Sequence, residues 1–327
     1  MRTVPLSAIR DAASGIYDVV RRTPTVPLPL TPALEDRLEG RRIFLKLELL
    51  QPIGSFKIRG AWNAVRLAPP EALAGGIWTV SAGNAAQGVA LAARRASVPC
   101  TVLVFDTAPQ TKLDAITRLG ATIVKAPYDE CWRAVESRQS DRVSGFFVHP
   151  FDDDRFIAGN GTIGLEILED VPEVDAIVAS LGGGGLLAGI ASAVRELRPS
   201  TRIVAAEPET ASPFAASLEA GHATRFEGWT ASFVDGAGGR SVLPSMWPLL
   251  STLIHQSVVV PLADAASAMR LTAEHCHVIT EGAAACALGA ALSGQVGRPG
   301  DRIVVIASGG NIDLPRFAQL VGACPSR

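Results

Sequence analysis

The chain of 327 residues lacks a surplus of charge. Its 30 Lys and Arg stand against 32 Asp and Glu, a formal net charge of -2, and no basic run offers a footprint for nucleic acid or for an anionic membrane surface. It also lacks paired cysteines. Cys100, Cys131, Cys276, Cys286 and Cys324 are odd in number, scattered, and form no C-x-x-C pair, so they read as reduced core or surface thiols. The opening MRTVPLSAIRDAASGIYDVV has no unbroken apolar core of the kind a secretory signal needs, so a cytoplasmic location is expected. The uncharged stretch from Ala176 to Val194 has the length of a membrane span. Four consecutive glycines interrupt it and charge flanks it closely, so it reads as a buried strand, a loop and a helix. No repeat at a fixed period and no low-complexity tract is present.

What the chain does have is one order repeated several times: apolar strand, glycine-containing turn, alanine-rich helix. GGIWTVSAGNAAQGVALAARRA, CTVLVFDTAPQTKLDAITRLGATIVKA and VDAIVASLGGGGLLAGIASAVREL are three such units, and TRIVAAEPE and DRIVVIASGGN supply further strands. This order predicts an α/β fold of mainly parallel sheets flanked by helices. The length suits two domains at about 150 residues each. Pro69 to Gly76 and His149 to Arg155 are the candidate crossings between two lobes, and the acidic run Asp152 to Asp154 reads as a solvated loop.

Three loops carry the residue types of a chemical site. In GSFKIRGA, Gly54 to Ala61, Lys57 is either a surface charge on a first helical turn or a desolvated amine able to form a Schiff base with a carbonyl compound. In SLGGGGLLAG, Gly182, Gly183, Gly184 and Gly185 follow a strand and open a helix, where several backbone N–H groups and the helix dipole can converge on one phosphate. A tight packing turn is the structural alternative. In SAGNAAQG, Ser81 to Gly88, the N–H groups suit a carboxylate and the Asn84 amide suits a hydroxyl or phenolate oxygen, although Ser and Asn are also common helix caps. Ser308, in ASGGN, reads by itself as a cap or turn residue.

Other chemistries fit less of the chain. Gly183, Gly185 and Ala188 satisfy G-x-G-x-x-A, and Glu207 follows at about the dinucleotide-binding distance. A nicotinamide-dependent oxidoreductase would nevertheless leave the Lys57 and Asn84 loops unexplained. No Lys-Ser or Lys-Thr follows the glycines, against a P-loop. EHCH, Glu274 to His277, lacks spaced ligand pairs and a second cluster, so no metal is expected. No G-x-S-x-G supports a hydrolase.

Taken together, GSFKIRGA, SAGNAAQG, SLGGGGLLAGIA, AAEPE and ASGGNID resemble, in order and approximate spacing, the β-family or fold type II of pyridoxal-phosphate enzymes. The likeness is greatest to the threonine/serine dehydratases and serine racemases, and it runs from about Thr23 to Asp313. It implies pyridoxal 5'-phosphate as cofactor, with Lys57 bonded to it and acting as the catalytic base. Phe56 would lie beside the ring, Gly182 to Gly185 with Leu186 on the phosphate, Asn84 at the phenolic oxygen and Ser308 at the pyridine nitrogen. Ser81, Ala82, Gly83, Asn84 and Ala85 would receive the substrate carboxylate, with Gly236, in VDGAG, near the other edge. The resemblance further implies a large lobe of residues 1–75 and 150–327, a small lobe of 76–149, a cofactor in the cleft between them, and a homodimer.

The activity implied is an ammonia-lyase that converts a β-hydroxy amino acid, by default L-threonine or L-serine, to a 2-oxo acid by way of an aminoacrylate. The alternatives are β-replacement or racemisation on the same cofactor, the oxidoreductase, and a catalytically silent cofactor-binding protein. Ala82 stands where racemising members place a serine, so racemisation is not expected as the main activity. Pro213 stands where a further carboxylate would join Glu207 and the Ala211 carbonyl at the divalent-cation site of some members, so no metal is expected. A C-terminal regulatory domain with isoleucine control is not expected either. Ala85, where most close relatives carry histidine, predicts a pocket wide enough for an aryl or carboxyl β-substituent.

Overall fold

The computed structural model describes residues 2–29 and 31–323; Cys324 lies outside them. Short runs of branched apolar residues form the strands: β1 (Thr25–Pro27), β2 (Arg42–Lys46), β3 (Ile77–Val80), β4 (Cys100–Phe105), β5 (Thr122–Ala126), β6 (Phe146–Phe147), β7 (Ala176–Ser180), β8 (Arg202–Pro208), β9 (Gln256–Val260) and β10 (Arg302–Ile306). They make a six-stranded sheet in the order β1-β2-β10-β7-β8-β9 and a four-stranded sheet in the order β5-β4-β3-β6. Every pairing is parallel except β1 with β2. Helices cover both faces of such sheets, which is why β3 and β7 are buried along their whole length. The expected α/β class with parallel sheets and flanking helices is what the chain adopts.

Topology gathers the loops. β10 lies between β2 and β7, so the turn after the last long strand sits beside the turn after one of the first. Ser55 and Gly309 form an antiparallel bridge there, and Phe56 N–H donates to the Ser308 carbonyl at 3.0 Å. The carboxyl ends of parallel strands all point one way, and ligands of open α/β sheets bind in the crevice outside those ends.

The helix Lys57–Arg66 is anchored from two sides. Ala61, Ala64 and Val65 join Ile77, Val89, Val102 and Ile116 in the apolar cluster of the four-stranded sheet. On the opposite side Arg59, fully buried, pairs with Glu48 at 2.7 Å and with Glu166 at 2.6 Å, and Lys46 pairs with Glu166 at 2.8 Å. A Cβ on Gly88 would lie 3.0 Å from the Lys57 carbonyl, so the helix Asn84–Ala96 passes close against the base of Lys57.

The acidic run differs from expectation. Asp152 is buried, pairs with Arg2 and with Arg138 at 3.1 Å, and accepts the Ser245 hydroxyl at 2.7 Å. Asp153 caps the helix Asp154–Asp170 by accepting from Arg155 N–H at 2.8 Å and Phe156 N–H at 3.2 Å. Only Asp154 faces solvent. Asp152 is a clamp because its cations, Arg2 and Arg138, come from elsewhere in the chain. Among the described residues Cys100, Cys131 and Cys286 are buried free thiols and Cys276 is half-buried, and no helix is long and apolar enough to cross a membrane.

Candidate active site

Lys57 is the first residue of its helix. Its amine donates to the Pro150 carbonyl at 2.9 Å and lies 5.2 Å from the Phe56 ring centroid and 5.6 Å from that of Phe156. The side chain is half-buried. Burial pushes its pKa down to about 8, partly opposed by the negative charge of Glu281. An amine so placed is neutral in part near neutral pH, which a nucleophile or base requires.

The segment that holds Lys57 also walls the glycine loop. A Cβ on Gly183 would run into the Phe151 ring, one on Gly185 would lie 2.6 Å from the Phe151 carbonyl, and one on Gly182 would lie 2.6 Å from the Gly236 carbonyl. Side chains are therefore excluded by close backbone approach. Gly184, at φ +88°, forms the N-cap of the helix Gly185–Leu197 without a side-chain cap. From Gly182 to Leu187 no backbone N–H meets a protein acceptor among the described residues. The result is an anion cradle at a helix N-terminus, with Leu186 buried in its first turn.

The loop after β3 lies open. The Ser81 hydroxyl accepts from Gly83 N–H at 3.1 Å, and nothing stands within 4 Å of a Cβ on Gly83. Ala82 and Ala85 are buried. The helix Asn84–Ala96 starts without a side-chain cap, so neither Ser81 nor Asn84 serves as one. Asn84 instead donates to both oxygens of Glu281, at 2.8 and 3.1 Å, and its own carbonyl accepts from Asn311 at 2.7 Å.

Glu281 is the residue that sequence reasoning missed. Its N–H donates to the Gly309 carbonyl at 3.0 Å, and its Oε1 lies 2.6 Å from a Cβ placed on Gly309 and 3.6 Å from one on Gly236. The carboxyl thus joins the Asn84, Gly236 and Ser308 loops. Burial pushes it up to about 7, against the Asn84 hydrogen bond. In the sequence it is one acid ahead of an alanine-rich helix, with no local sign of its surroundings.

Two more groups escaped notice. His149 accepts from Phe151 N–H at 3.3 Å and Asp152 N–H at 2.8 Å through Nδ1, so the ring proton is on Nε2. Among the described residues that Nε2 and the Ser55 hydroxyl are buried without a hydrogen-bond partner, next in sequence to Pro150 and Phe56, which both lie near the Lys57 amine. Ser308 is buried as well. Unmet amides, unmet side-chain donors and a primary amine held by one backbone carbonyl together fit a phosphorylated aromatic aldehyde. Glu207 is committed elsewhere: its carboxylate accepts from Phe214 and Ala215 N–H, both at 2.8 Å, and from the Ser257 hydroxyl at 2.6 Å.

Comparison with known proteins agrees with this geometry. A family model described as pyridoxal-phosphate dependent enzyme matches residues 16–309. The chain is 35% identical over 320 residues to the L-threonine ammonia-lyase of Thermotoga maritima, covering 97% of this chain and 78% of that one. It is 36% identical over 318 residues to the serine racemase of Homo sapiens, covering 95% and 92%. The structure of maize serine racemase matches with a TM-score of 0.89 at 33% identity over 97% of each chain. The chain belongs to the fold type II pyridoxal-phosphate-dependent enzymes, in the group that holds threonine ammonia-lyases and serine racemases, and pyridoxal phosphate is its cofactor.

Proposed function

We propose that the protein is an ammonia-lyase that converts a β-hydroxy amino acid to a 2-oxo acid and ammonia, with L-threonine and L-serine as the default substrates. The observation that carries this reading is Ala82, buried in the open loop after β3. Its methyl group cannot return a proton to a substrate, which favours elimination over racemisation.

When bound, the cofactor supplies a sink for the charge left on the substrate α-carbon. Lys57 takes the α-proton on Nζ, and the Pro150 carbonyl orients that amine. The amides of Gly182 to Gly185 and Leu186 would hold the phosphate. Phe56 would pack beside the ring, Asn84 would hold the phenolic oxygen, and Ser308 would meet the pyridine nitrogen. A neutral hydroxyl at Ser308 would leave that nitrogen largely unprotonated, which would favour prompt loss of the β-hydroxyl. Ser81, Ala82, Gly83, Asn84 and Ala85 receive the substrate carboxylate, and Gly236 borders the opposite edge. The lobes are read as 1–75 with 150–327 and as 76–149. All four strands of the smaller sheet fall inside the second range, which supports this division.

The test is direct. Purified protein is given L-threonine and L-serine, and 2-oxo acid release is followed beside the D-serine content. Interconversion of serine enantiomers faster than pyruvate release would overturn the reading. Borohydride reduction should fix the cofactor to the peptide that contains Lys57, and a label on Lys46, Lys112 or Lys125 would remove Lys57 from its role.

A further inference from the structure

Arg2 ties together two segments that lie far apart in the sequence. Its Nη1 donates to the Asp152 carboxylate and, at 3.2 Å, to the Ser245 carbonyl, while its Nε and Nη2 donate to Asp154 at 2.9 and 2.7 Å. A planar guanidinium has donors enough to serve two carboxylates and a carbonyl at once, which an ammonium on a flexible stem does not match. The Ser245 hydroxyl completes the tie by donating to Asp152 at 2.7 Å. Burial would raise the Asp152 carboxyl, but the hydrogen bonds from Arg2 and Ser245 outweigh it and hold the group below its ordinary value. The charge that Arg2 grips is therefore present at neutral pH.

Each tied segment is one wall of the glycine loop. Phe151, directly before Asp152, fills the space that a Cβ on Gly183 would need, and its carbonyl lies 2.6 Å from a Cβ on Gly185. Met246, directly after Ser245, accepts the Leu250 N–H at 3.0 Å, and the Leu250 side chain lies 2.6 Å from a Cβ on Gly184. Met246, Leu249 and Leu250 also share an apolar cluster with Leu186 and Leu187, in the first turn of the helix that the glycines open. Gly183, Gly184 and Gly185 are thus confined by Phe151 and Leu250, and Arg2 with Asp152 links those two walls by charge. Glycine has more conformational freedom than any other residue, so a run of four presents a fixed array of N–H groups only where its surroundings impose one. An anion cradle depends on converging donors, and a displaced wall spreads them.

We propose that Arg2 is a positioning residue for the cofactor phosphate: by stapling the Asp152 segment to the Ser245 segment it holds the walls that set the amides of Gly182 to Gly185. The proposal rests on the reading of those glycines as the phosphate cradle. Its action is indirect, through Phe151 and Leu250. Both stapled segments meet the glycine loop, whereas only one of them meets Lys57, through the Pro150 carbonyl. The effect of Arg2 therefore falls on the phosphate more than on the aldehyde that Lys57 captures.

The experiment measures the Kd of cofactor-free protein for pyridoxal phosphate and for pyridoxal, which keeps the ring and aldehyde and lacks the phosphate. The readout is the preference for the phosphorylated compound, a ratio that a general loss of stability does not move. Arg138 and Ser245 stay on Asp152 when Arg2 is replaced, so its carboxylate keeps partners and the variant keeps its fold. In Arg2→Gln the preference should fall about 10-fold, the size of a coupling carried through packed neighbours. Arg2→Lys, which keeps the charge without the fork, should lose less. In an Asp152→Asn background, where the staple is already open, Arg2→Gln should lower the preference no further. A preference unmoved by Arg2→Gln, whether neither Kd changes or both rise together, overturns the proposal, and so does a further fall in the Asp152→Asn background. Gly185→Ala separates the staple from the reading beneath it. If Gly185→Ala lowers the preference and Arg2→Gln does not, the cradle stands and the staple falls; if neither does, the cradle reading falls as well. A fall in Arg2→Gln alone would mean that Arg2 acts apart from the glycine loop, which also overturns the proposal.

Discussion

Asn84 donates its side-chain amide to both oxygens of Glu281, at 2.8 and 3.1 Å, across 197 residues of sequence. The contact brings a carboxyl raised to about 7 into the same cleft as an amine lowered to about 8. Burial causes both shifts, and it brings two unlike groups to nearly equal proton affinity. Environments that set the proton affinities of an acid and an amine in this way are a mark of acid–base sites.

Glu281 should control the pH at which Lys57 becomes reactive. Its negative charge is the one influence that raises the amine against burial, so Glu281→Gln should lower the Lys57 pKa below 8. Capture of pyridoxal phosphate by cofactor-free protein, followed by absorbance against pH, should show a midpoint near 8 in the wild type and an earlier one in the variant. Coincident midpoints would mean that the carboxylate does not act on the amine.

Gly185 should be intolerant of a methyl group. A Cβ there would lie 2.6 Å from the Phe151 carbonyl, and backbone cannot swing aside as a side-chain tip does. Gly185→Ala should weaken cofactor affinity about 100-fold, or roughly 3 kcal/mol, by displacing either the cradle or the segment that orients Lys57. Equilibrium titration of the folded apoprotein measures it, and an unchanged Kd would argue that the cradle does not hold the phosphate.

The parts of the site that were legible in sequence are those whose chemistry needs particular residues close together. Four adjacent glycines and a lysine after Phe56 declare themselves because a helix-opening turn of unmet amides and a partly buried amine are each built from one short segment. Glu281, His149 and Ser55 did not, since their meaning comes from burial by distant chain. Asp152 was misread for the same reason: its partners Arg2 and Arg138 lie 150 and 14 residues away. The strand order shares this property. Apolar runs disclose β7 and β10 individually, while the insertion of β10 between β2 and β7 is a tertiary event that no local period encodes.

Arg59 should be among the costliest residues to remove. It joins Glu48 and Glu166 with both carboxylates buried, and Glu166 also accepts the Tyr17 hydroxyl at 2.7 Å. Arg59→Met leaves two buried carboxylates short of a cation, a loss on the order of 3–5 kcal/mol. Urea unfolding should register it, and cofactor affinity should fall as well because Arg59 anchors the first turn that carries Lys57. A stability loss under about 1 kcal/mol, the range of exposed ion pairs, would show the network to be well hydrated.

His149 should set part of the acid limb of stability. Burial pushes its pKa down from 6.5 to about 4, against the nearby Asp152 carboxylate. Above pH 6.5 the ring is neutral in both folded and unfolded chains, and below 4 it is protonated in both. Between these values the unfolded chain holds a proton that the native ring does not, so stability rises with pH across the window and is lost as pH falls through it. At about 1.4 kcal/mol per unit the total is roughly 3 kcal/mol. Glu207 and Glu281, both raised to about 7, work in the opposite direction between about 4.5 and 7, so the wild-type curve by itself does not isolate the histidine. His149→Asn does, because its carbonyl can accept from Asp152 N–H and does not titrate. Unfolding free energies measured by urea at pH 4 to 7 should give a wild-type minus variant difference that grows by about 3 kcal/mol with rising pH. Parallel curves would mean that the native ring is protonated as readily as the unfolded one, and that the buried Nε2 already has a partner.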